Sequence, residues 1–312
     1  MSANVTADAN ALKLASEETA RPHRTLWGDV WIQFRKHKLA MVGMVTLIFL
    51  ILFSVAGPWV YRVEPEFINI LEANQQPNPQ HLFGTDMLGR DTLARVMAGG
   101  RISLAVGLSA MLVAILVGTV IGGIAGYFRR LDNPLMRLTD MFLALPLLPL
   151  LLVIILLFRD TLRTAFGPEM GIFLLIVFVI GILNWMPTAR VVRAQVLSVK
   201  EREYVLAAIQ VGARENRILL RHILPNVLSP IIVAATLGVA NAILTESALS
   251  FLGLGFPSDF PTWGRLLFEN RDFLQMLPFL VMWPGLFISL TVLSVNFVGD
   301  GLRDALDPQL RT

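Results

Sequence analysis

The sequence predicts an all-α, polytopic membrane protein with six transmembrane helices. Hydrophobic residues make up 55% of the 312-residue chain and charged residues 16%, whereas soluble domains contain about 25% charged residues. Six apolar runs approach or exceed the ~20 residues that a helix needs to cross a bilayer. They are 39–61, 103–128, 141–158, 171–188, 231–256 and 278–299, and Glu246 is their only charged residue. Such runs exclude a soluble enzyme, a nucleic-acid binder, a disordered chain and an outer-membrane barrel.

The distribution of Lys and Arg predicts the orientation of these spans. The segments on one side carry 18 basic residues and those on the other side carry 8. The richer side comprises residues 1–38, 129–140, 189–230 and 300–312. Because basic residues are enriched on the cytoplasmic side of a membrane, both termini are predicted to be cytoplasmic.

The cytoplasmic N-terminus, residues 1–38, ends in an amphipathic pattern. Apolar residues lie on one helical face, followed by basic ones at the membrane edge: Leu26, Trp27, Val30, Trp31 and Phe34, then Arg35, Lys36 and Lys38. The pattern is typical of an elbow helix in the membrane interface, and a simple basic flank explains it equally well. The run 39–61 starts too late for a signal peptide and is predicted to be the first span.

The periplasmic loop 62–102 contains the segment FGTDMLGRD at 83–91. Thr85 or Asp86 is predicted to cap a helix that begins near Met87. The charged residues on that helix would be Arg90, Asp91 and Arg95. A second outer loop, 257–277, carries Trp263, Arg265, Asp272 and Phe273, and is expected to cover a pore mouth or meet an external partner.

Residues 103–300 are predicted to form a five-helix core. Gly118, Gly122 and Gly126 recur every fourth residue, which favours close packing of the second span against a neighbour. The third span contains Pro146 and Pro149 and the sixth contains Pro284, so both are predicted to be kinked.

Glu246 belongs to a loose polar stripe within the fifth span, together with Asn241, Thr245 and Ser250. An ionisable residue in a span is costly, so it should face protein or water. One interpretation is a pore-lining or gating carboxylate. The other is a hydrogen-bonded Glu that packs the helix bundle.

The sequence contains no pattern that indicates catalysis. None of the four lysines lies in a P-loop, and no HExxH or GxSxG segment occurs. With no cysteine and four scattered histidines, no metal site is predicted. Energy for any transport must therefore come from a partner or an ion gradient.

The loop 189–230 is the most specific feature of the sequence. Two helical stretches, 201–210 and 214–222, flank Gly212, which allows a sharp reversal of the backbone. Residues 206–225, LAAIQVGARENRILLRHILP, resemble the cytoplasmic loop of ABC importer permeases, written EAA-x3-G-x9-I-x-LP. Leu206 replaces the leading Glu and His222 replaces the Ile. The matching positions are Ala207, Ala208, Gly212, Leu224 and Pro225.

Three further segments are similar to the C-type permease subunit of the dipeptide/oligopeptide/nickel group. They are FGTDMLGRD at 83–91, ESALSFLGLG at 246–255 and NFVGDGLRDALDP at 296–308. The resemblance extends from about Trp27 to Pro308. It implies a type I importer permease fold, like that of the methionine importer, with a cytoplasmic tail at 301–312, in the cytoplasmic (inner) membrane of a bacterium or archaeon.

The resemblance also implies partners. A second, B-type permease, two ABC ATPase subunits and an external binding protein would complete an importer of di- or oligopeptides that works by alternating access. The first coupling helix, 204–211 with Tyr204 at its start, would contact an ATPase. ATP and Mg would be bound by the ATPases, so this lipid-embedded chain is expected to be non-catalytic, to need no cofactor and to bind no nucleic acid. The alternatives are a nickel or modified-peptide permease, an ion-coupled secondary transporter using Glu246, and a non-transporting scaffold.

Overall fold

The computed structural model describes residues 26–306, and no β-strand occurs in that range. Sequence predictions for residues 1–25 and 307–312 lie outside the described residues. Eleven helices follow one another in the order α1 Leu26–Lys36, α2 Lys38–Val60, α3 Thr92–Tyr127, α4 Arg129–Ala144, α5 Leu147–Phe166, α6 Pro168–Ile182, α7 Trp185–Lys200, α8 Glu203–Gln210, α9 Glu215–Phe251, α10 Trp263–Asn270 and α11 Phe279–Leu306. Short 3-10 turns occupy Ile70–Glu72 and Arg271–Phe273.

The described helices reach the length and apolarity of membrane spans either singly or as bent pairs. Helices α2, α3, α9 and α11 are each long and apolar enough to cross alone. The pairs α4–α5 and α6–α7 meet the same criterion together, but they bend by 87° and 41°. Counting each bent pair as one span gives six. The prediction of an all-α, polytopic membrane protein is confirmed.

Proline explains the sharper bend. Pro146 lies between α4 and α5, where its missing N–H and its ring prevent a continuous helix. The apolar run 141–158 is therefore divided between two helices. Pro149 lies in the first turn of α5, where no helical N–H is needed. Helix α11 continues through Pro284 as one unbroken helix.

Helix α3 packs most extensively against α7, along the three glycines. A Cβ atom on Gly118 would lie 2.7 Å from Cβ of Thr188, and one on Gly126 would lie 2.8 Å from Cβ of Val196. These distances are shorter than real Cβ contacts. The predicted role of the glycines in close helix packing is confirmed.

A cation–backbone contact fastens the C-terminal ends of the same two helices. Lys200, the last residue of α7, donates a hydrogen bond from Nζ to the carbonyl oxygen of Tyr127 over 2.6 Å. Its Nζ also lies 5.0 Å from the centroid of the Tyr127 ring. Positive charge at a helix C-terminus is favourable, so Lys200 joins the end of α3 to the start of the loop that follows α7.

The predicted amphipathic helix forms as α1, but its apolar face contacts protein. Val30 and Phe34 are buried against Ala305 at the end of α11, whereas Trp31 remains exposed. The side chains of Leu26 and Trp27 lie outside the described part. His37 separates α1 from α2 and caps α2, with Nδ1 accepting from the Ala40 N–H over 3.1 Å.

Candidate functional site

The loop between α7 and α9 is built around the short helix α8. Val205 is its buried anchor and belongs to an apolar cluster with residues of α7 and α9. The other large apolar residues of this segment are exposed: Tyr204, Leu206, Ile209 and Val211. The side chain of Val211 is 89% exposed. Four exposed apolar side chains on so short a segment are typical of a surface that contacts another protein or a membrane.

Gly212 ends α8 as predicted, by reversing the backbone. Its φ is +78°, a value that glycine adopts without the steric cost met by other residues. The N–H of Gly212 bonds to the Ile209 carbonyl over 2.9 Å, and the N–H of Ala213 bonds to the Ala208 carbonyl over 3.1 Å. These two bonds form a Schellman motif, so the turn after α8 has a fixed geometry.

The two alanines of the loop have different environments. Ala207 is exposed, whereas Ala208 is half-buried and packs against the apolar cluster under α8. Leu224 is half-buried in the same cluster, and Pro225 is exposed. Ala207 therefore lies on the surface that a partner can reach, and Ala208 and Leu224 support that surface from beneath.

Helix α9 contains a π-helical turn at Ile218–Ile223, directly after the loop. Pro225 follows and has no N–H to donate to the carbonyl of Arg221, which would be its helical partner. The wider turn accommodates the proline, and Asn226 donates from Nδ2 to the His222 carbonyl over 2.7 Å. Such turns are frequent at functional sites. The predicted helical stretches on both sides of Gly212 are confirmed, and the second continues into the membrane span.

A cavity of about 950 Å³ opens beside the loop, between α7, α9 and α11. Its wall on α7 and the adjoining turns is a stripe spaced by three or four residues, consisting of Asn184, Thr188, Val191, Gln195, Ser198 and Arg202. The wall on α9 includes Asn226, Ser229, Pro230, Val233, Leu237 and Asn241. Both walls are thus single helical faces that combine amide and hydroxyl groups with small apolar side chains.

The predicted polar stripe of the fifth span divides between two environments. Asn241 lines the cavity, whereas Glu246 is 0% exposed and Ser250 is also buried. The Glu246 carboxylate accepts a hydrogen bond from Ser250 Oγ over 2.7 Å and another from Ser103 Oγ of α3 over 3.2 Å. This placement is that of the hydrogen-bonded, packing Glu. A gating role for Glu246 stays a prediction.

Replacing Glu246 by Gln is expected to preserve assembly while altering transport. The amide has the same shape, and the two serine hydroxyls can rotate to donate to it or accept from it, so the stability cost should be about 1 kcal/mol or less. Uptake by the reconstituted protein, measured from acidic to alkaline pH, tests the role of the charge. If the Gln variant takes up substrate at the wild-type rate at every pH, packing is the sole role of Glu246.

The segment 83–91 does not form the predicted helix. Residues 84–91 turn back on themselves, with an isolated bridge between Thr85 and Asp91, and α3 begins only at Thr92. Asp86 instead closes the turn by accepting from the N–H groups of Leu88 and Arg90 over 2.9 and 3.0 Å. The prediction failed because an Asp that caps a turn and one that caps a helix have similar sequence surroundings.

Asp91 is the actual cap of α3. Its Oδ1 accepts from the Ala94 N–H over 2.8 Å, as an N-cap residue does. Its Oδ2 accepts from the Tyr61 hydroxyl over 2.7 Å and lies 2.8 Å from His81 Nδ1. Burial and then the neighbouring Asp91 carboxylate raise the pKa of Tyr61, so the hydroxyl keeps its proton and donates it in this hydrogen bond.

Arg90 and Arg95 belong to a buried ion cluster that joins the outer loop to α10. Arg95 is 1% exposed, and its Nη1 lies 2.8 Å from Glu269 Oε2 and 3.1 Å from Asp86 Oδ2. Arg90 Nε lies 2.8 Å from Asp86 Oδ2, and Glu66 contacts both arginines. Burial raises the pKa of Glu269, but the charge and hydrogen bond of Arg95, together with Arg265 and Arg90, outweigh it, so the net shift is downward. The cluster fixes the two outer loops against each other.

Sequence reasoning did not find Glu66 and Glu269, because they are far from the arginines in sequence and lie in segments that look solvent-exposed. It also did not find most residues of the cavity walls. Their signal was present as amide and hydroxyl side chains at three- and four-residue spacing on α7, from Asn184 to Arg202. In the sequence, basic residues lie between these side chains, so the stripe is apparent only when the segment is drawn as a helix.

Two known families and several known proteins are similar to this chain. The family described as "Binding-protein-dependent transport system inner membrane component" matches residues 96–312, and "N-terminal TM domain of oligopeptide transport permease C" matches residues 25–77. The oligopeptide transport system permease protein OppC of Bacillus subtilis is 39% identical over 95% of this chain and 94% of its own length. The dipeptide transport system permease protein DppC of Alkalihalophilus pseudofirmus is 40% identical over 92% and 91%. DppC of Bacillus subtilis is 41% identical over 95% and 90%.

Proposed function

The chain belongs to the family of binding-protein-dependent transport system inner membrane components, and on this premise we propose that it is a pore subunit of an ATP-driven ABC importer of di- or oligopeptides. The relatives named as oligopeptide and dipeptide permeases support the peptide substrate. The proposed location is the cytoplasmic membrane of a bacterium or archaeon, with both termini in the cytoplasm. The distribution of basic residues supports this orientation.

The exposed apolar face of α8 carries the proposal. It lies at the end of the cavity and is held from beneath by Val205. Leu206 stands where the family motif has Glu, so this contact is apolar at its first position. The proposed occupant of the face is an ABC ATPase subunit, which binds ATP and Mg. This assignment explains how a chain without a P-loop takes part in ATP-driven transport.

The cavity is proposed to be this chain's half of the translocation path. It opens to one side of α7, α9 and α11, where a second, B-type permease would close it. An external binding protein would deliver the peptide to the outer loops. ATP-driven approach of the two ATPases would push on α8 in each permease and move the paired permeases between outward and inward access, as rigid bodies rather than by local unfolding.

Three other functions lead to different observations. A nickel or modified-peptide permease would use the same architecture, and the peptide names of the relatives disfavour it. A secondary transporter would take up substrate with this chain alone and respond to Glu246. A scaffold would bind its partners without substrate-stimulated ATP hydrolysis.

The loop variants Gly212→Pro and Ala207→Trp are expected to uncouple ATP hydrolysis from peptide uptake. Proline cannot adopt the φ of +78° at residue 212, and tryptophan at residue 207 would obstruct the exposed face. We expect uptake per ATP to fall at least about tenfold, which lies within the range of effects that coupled sites have on each other. The measurement is peptide uptake and ATP hydrolysis by the complex reconstituted in liposomes.

The matched control is Ala165→Trp, which places the same bulk on an exposed alanine of α5, away from the loop. It should leave coupling unchanged. Residue 208 is less suitable for such a test because Ala208 packs inward. Normal uptake per ATP by both loop variants would contradict the assignment of α8 to the ATPase contact.

A further inference from the structure

The cavity has a chemical character that extends beyond its role as a path. Most of its polar wall consists of neutral amides and hydroxyls, such as Asn184, Gln195, Ser198, Asn226 and Asn241. Each of these amides both donates and accepts hydrogen bonds. They match the peptide group, which every peptide contains, and they do not select a particular side chain.

The formal charge of the wall has one sign. Among the described residues that line the cavity, the ionised side chains are Arg202 and Arg303, and none is a carboxylate. Both arginines are exposed and lie toward the loop end of the cavity, near Tyr204 and Leu306. Within residues 26–306 neither guanidinium has an ion-pair partner, unlike Arg90 and Arg95 at the outer end. Two guanidiniums that have no ion-pair partner among the described residues therefore face the space through which a substrate would leave.

We propose that this half of the path discriminates by substrate charge, favouring anionic and neutral peptides over cationic ones, with Arg303 and Arg202 as the discriminating residues. This inference rests on the proposed function. A charge in a cleft with low-dielectric walls acts more strongly than it does in bulk water, so the two guanidiniums attract a carboxylate and repel an ammonium group. Arg202 also precedes α8 directly, which makes Arg303 the cleaner position to change.

The test compares uptake of three tripeptides, Ala-Glu-Ala, Ala-Gln-Ala and Ala-Lys-Ala, by the full complex with one binding protein in liposomes. For each peptide, the uptake rate of the Arg303→Gln complex is divided by the uptake rate of the wild-type complex. The preference of the binding protein then cancels. We expect this ratio to rise for Ala-Lys-Ala and to fall for Ala-Glu-Ala, each by about threefold relative to Ala-Gln-Ala. Arg303→Glu should enlarge both changes.

The control Arg130→Gln removes an exposed guanidinium of α4 that does not line the cavity, and its ratios should be equal for the three peptides. Equal ratios for Arg303→Gln and Arg303→Glu would overturn the charge discrimination, and so would a uniform change accompanied by altered ATP hydrolysis without peptide. If the wild-type complex neither takes up any of the peptides nor hydrolyses ATP faster with them, the proposed function itself fails.

Discussion

Replacing Arg95 by Met is expected to destabilise the assembled protein by roughly 3–5 kcal/mol, the cost of removing one partner from a buried ion pair. The guanidinium is 1% exposed and lies between the carboxylates of Asp86 and Glu269. Methionine fills a similar volume but leaves the three carboxylates of the cluster with two arginines, Arg90 and Arg265. One buried negative charge is then uncompensated. The measurement is the melting temperature of the purified complex, which should fall by at least about 5 °C.

Two comparisons make the Arg95 result specific. Arg101→Met removes an exposed arginine of the same helix that donates to the carbonyls of Ser54 and Val55, and it should have a much smaller effect. Adding Glu269→Gln to Arg95→Met should recover part of the loss, because it removes one carboxylate and restores the balance of charge in the cluster. If Arg95→Met and Arg101→Met lower the melting temperature equally, the outer ion cluster does not stabilise the fold as described.

Substitution of Gly122 by Ala is expected to disrupt the contact between α3 and α7. The added Cβ would meet the carbonyl oxygen of Ala189 and lie 2.9 Å from Cβ of Val192. Both are backbone or near-backbone atoms of a packed helix and cannot rotate away. Overpacking of this kind costs roughly 1–3 kcal/mol, and we expect a reduced yield of monodisperse complex in size-exclusion chromatography and a lower melting temperature.

The neighbouring residue gives an unusually close control. A Cβ on Gly123 would have no atom within 4 Å, and alanine is the better helix former by about 1 kcal/mol. Gly123→Ala should therefore be neutral or slightly stabilising. Loss of the complex in both variants to the same extent would show that glycine content in α3, rather than close approach to α7, determines stability.

These variants illustrate which parts of the structure could be predicted from sequence. The apolar runs located the spans because the length of a run is set by the thickness of the hydrocarbon core that the helix must cross. They misplaced helix ends, since α3 begins at Thr92 rather than near residue 103, and α9 begins at Glu215 rather than near residue 231. A helix continues past the hydrocarbon wherever its end is capped, as Asp91 does for α3.

The candidate site was predictable only where it depends on local sequence patterns. The turn at Gly212 and the glycine contact of α3 depend on residues close in sequence or on a simple repeat. The ion cluster joins Arg95 to Glu269, and the cavity joins Gln195 to Arg303. Such pairs are set by tertiary packing, and a single sequence contains no local signal for them.

The pairing of α3 with α7 also limits how the protein can move. Helix α3 contains 36 residues and is thus about 54 Å long, well beyond the ~30 Å hydrocarbon core. One end is fixed by the outer ion cluster, the other by Lys200, and the glycines fasten its length to α7. In the proposed mechanism α3 and α7 move as one rigid unit. A displacement of α8 is then transmitted to the outer face almost unchanged in size. Mechanical stiffness would then be the reason that the two ends of the path do not open together.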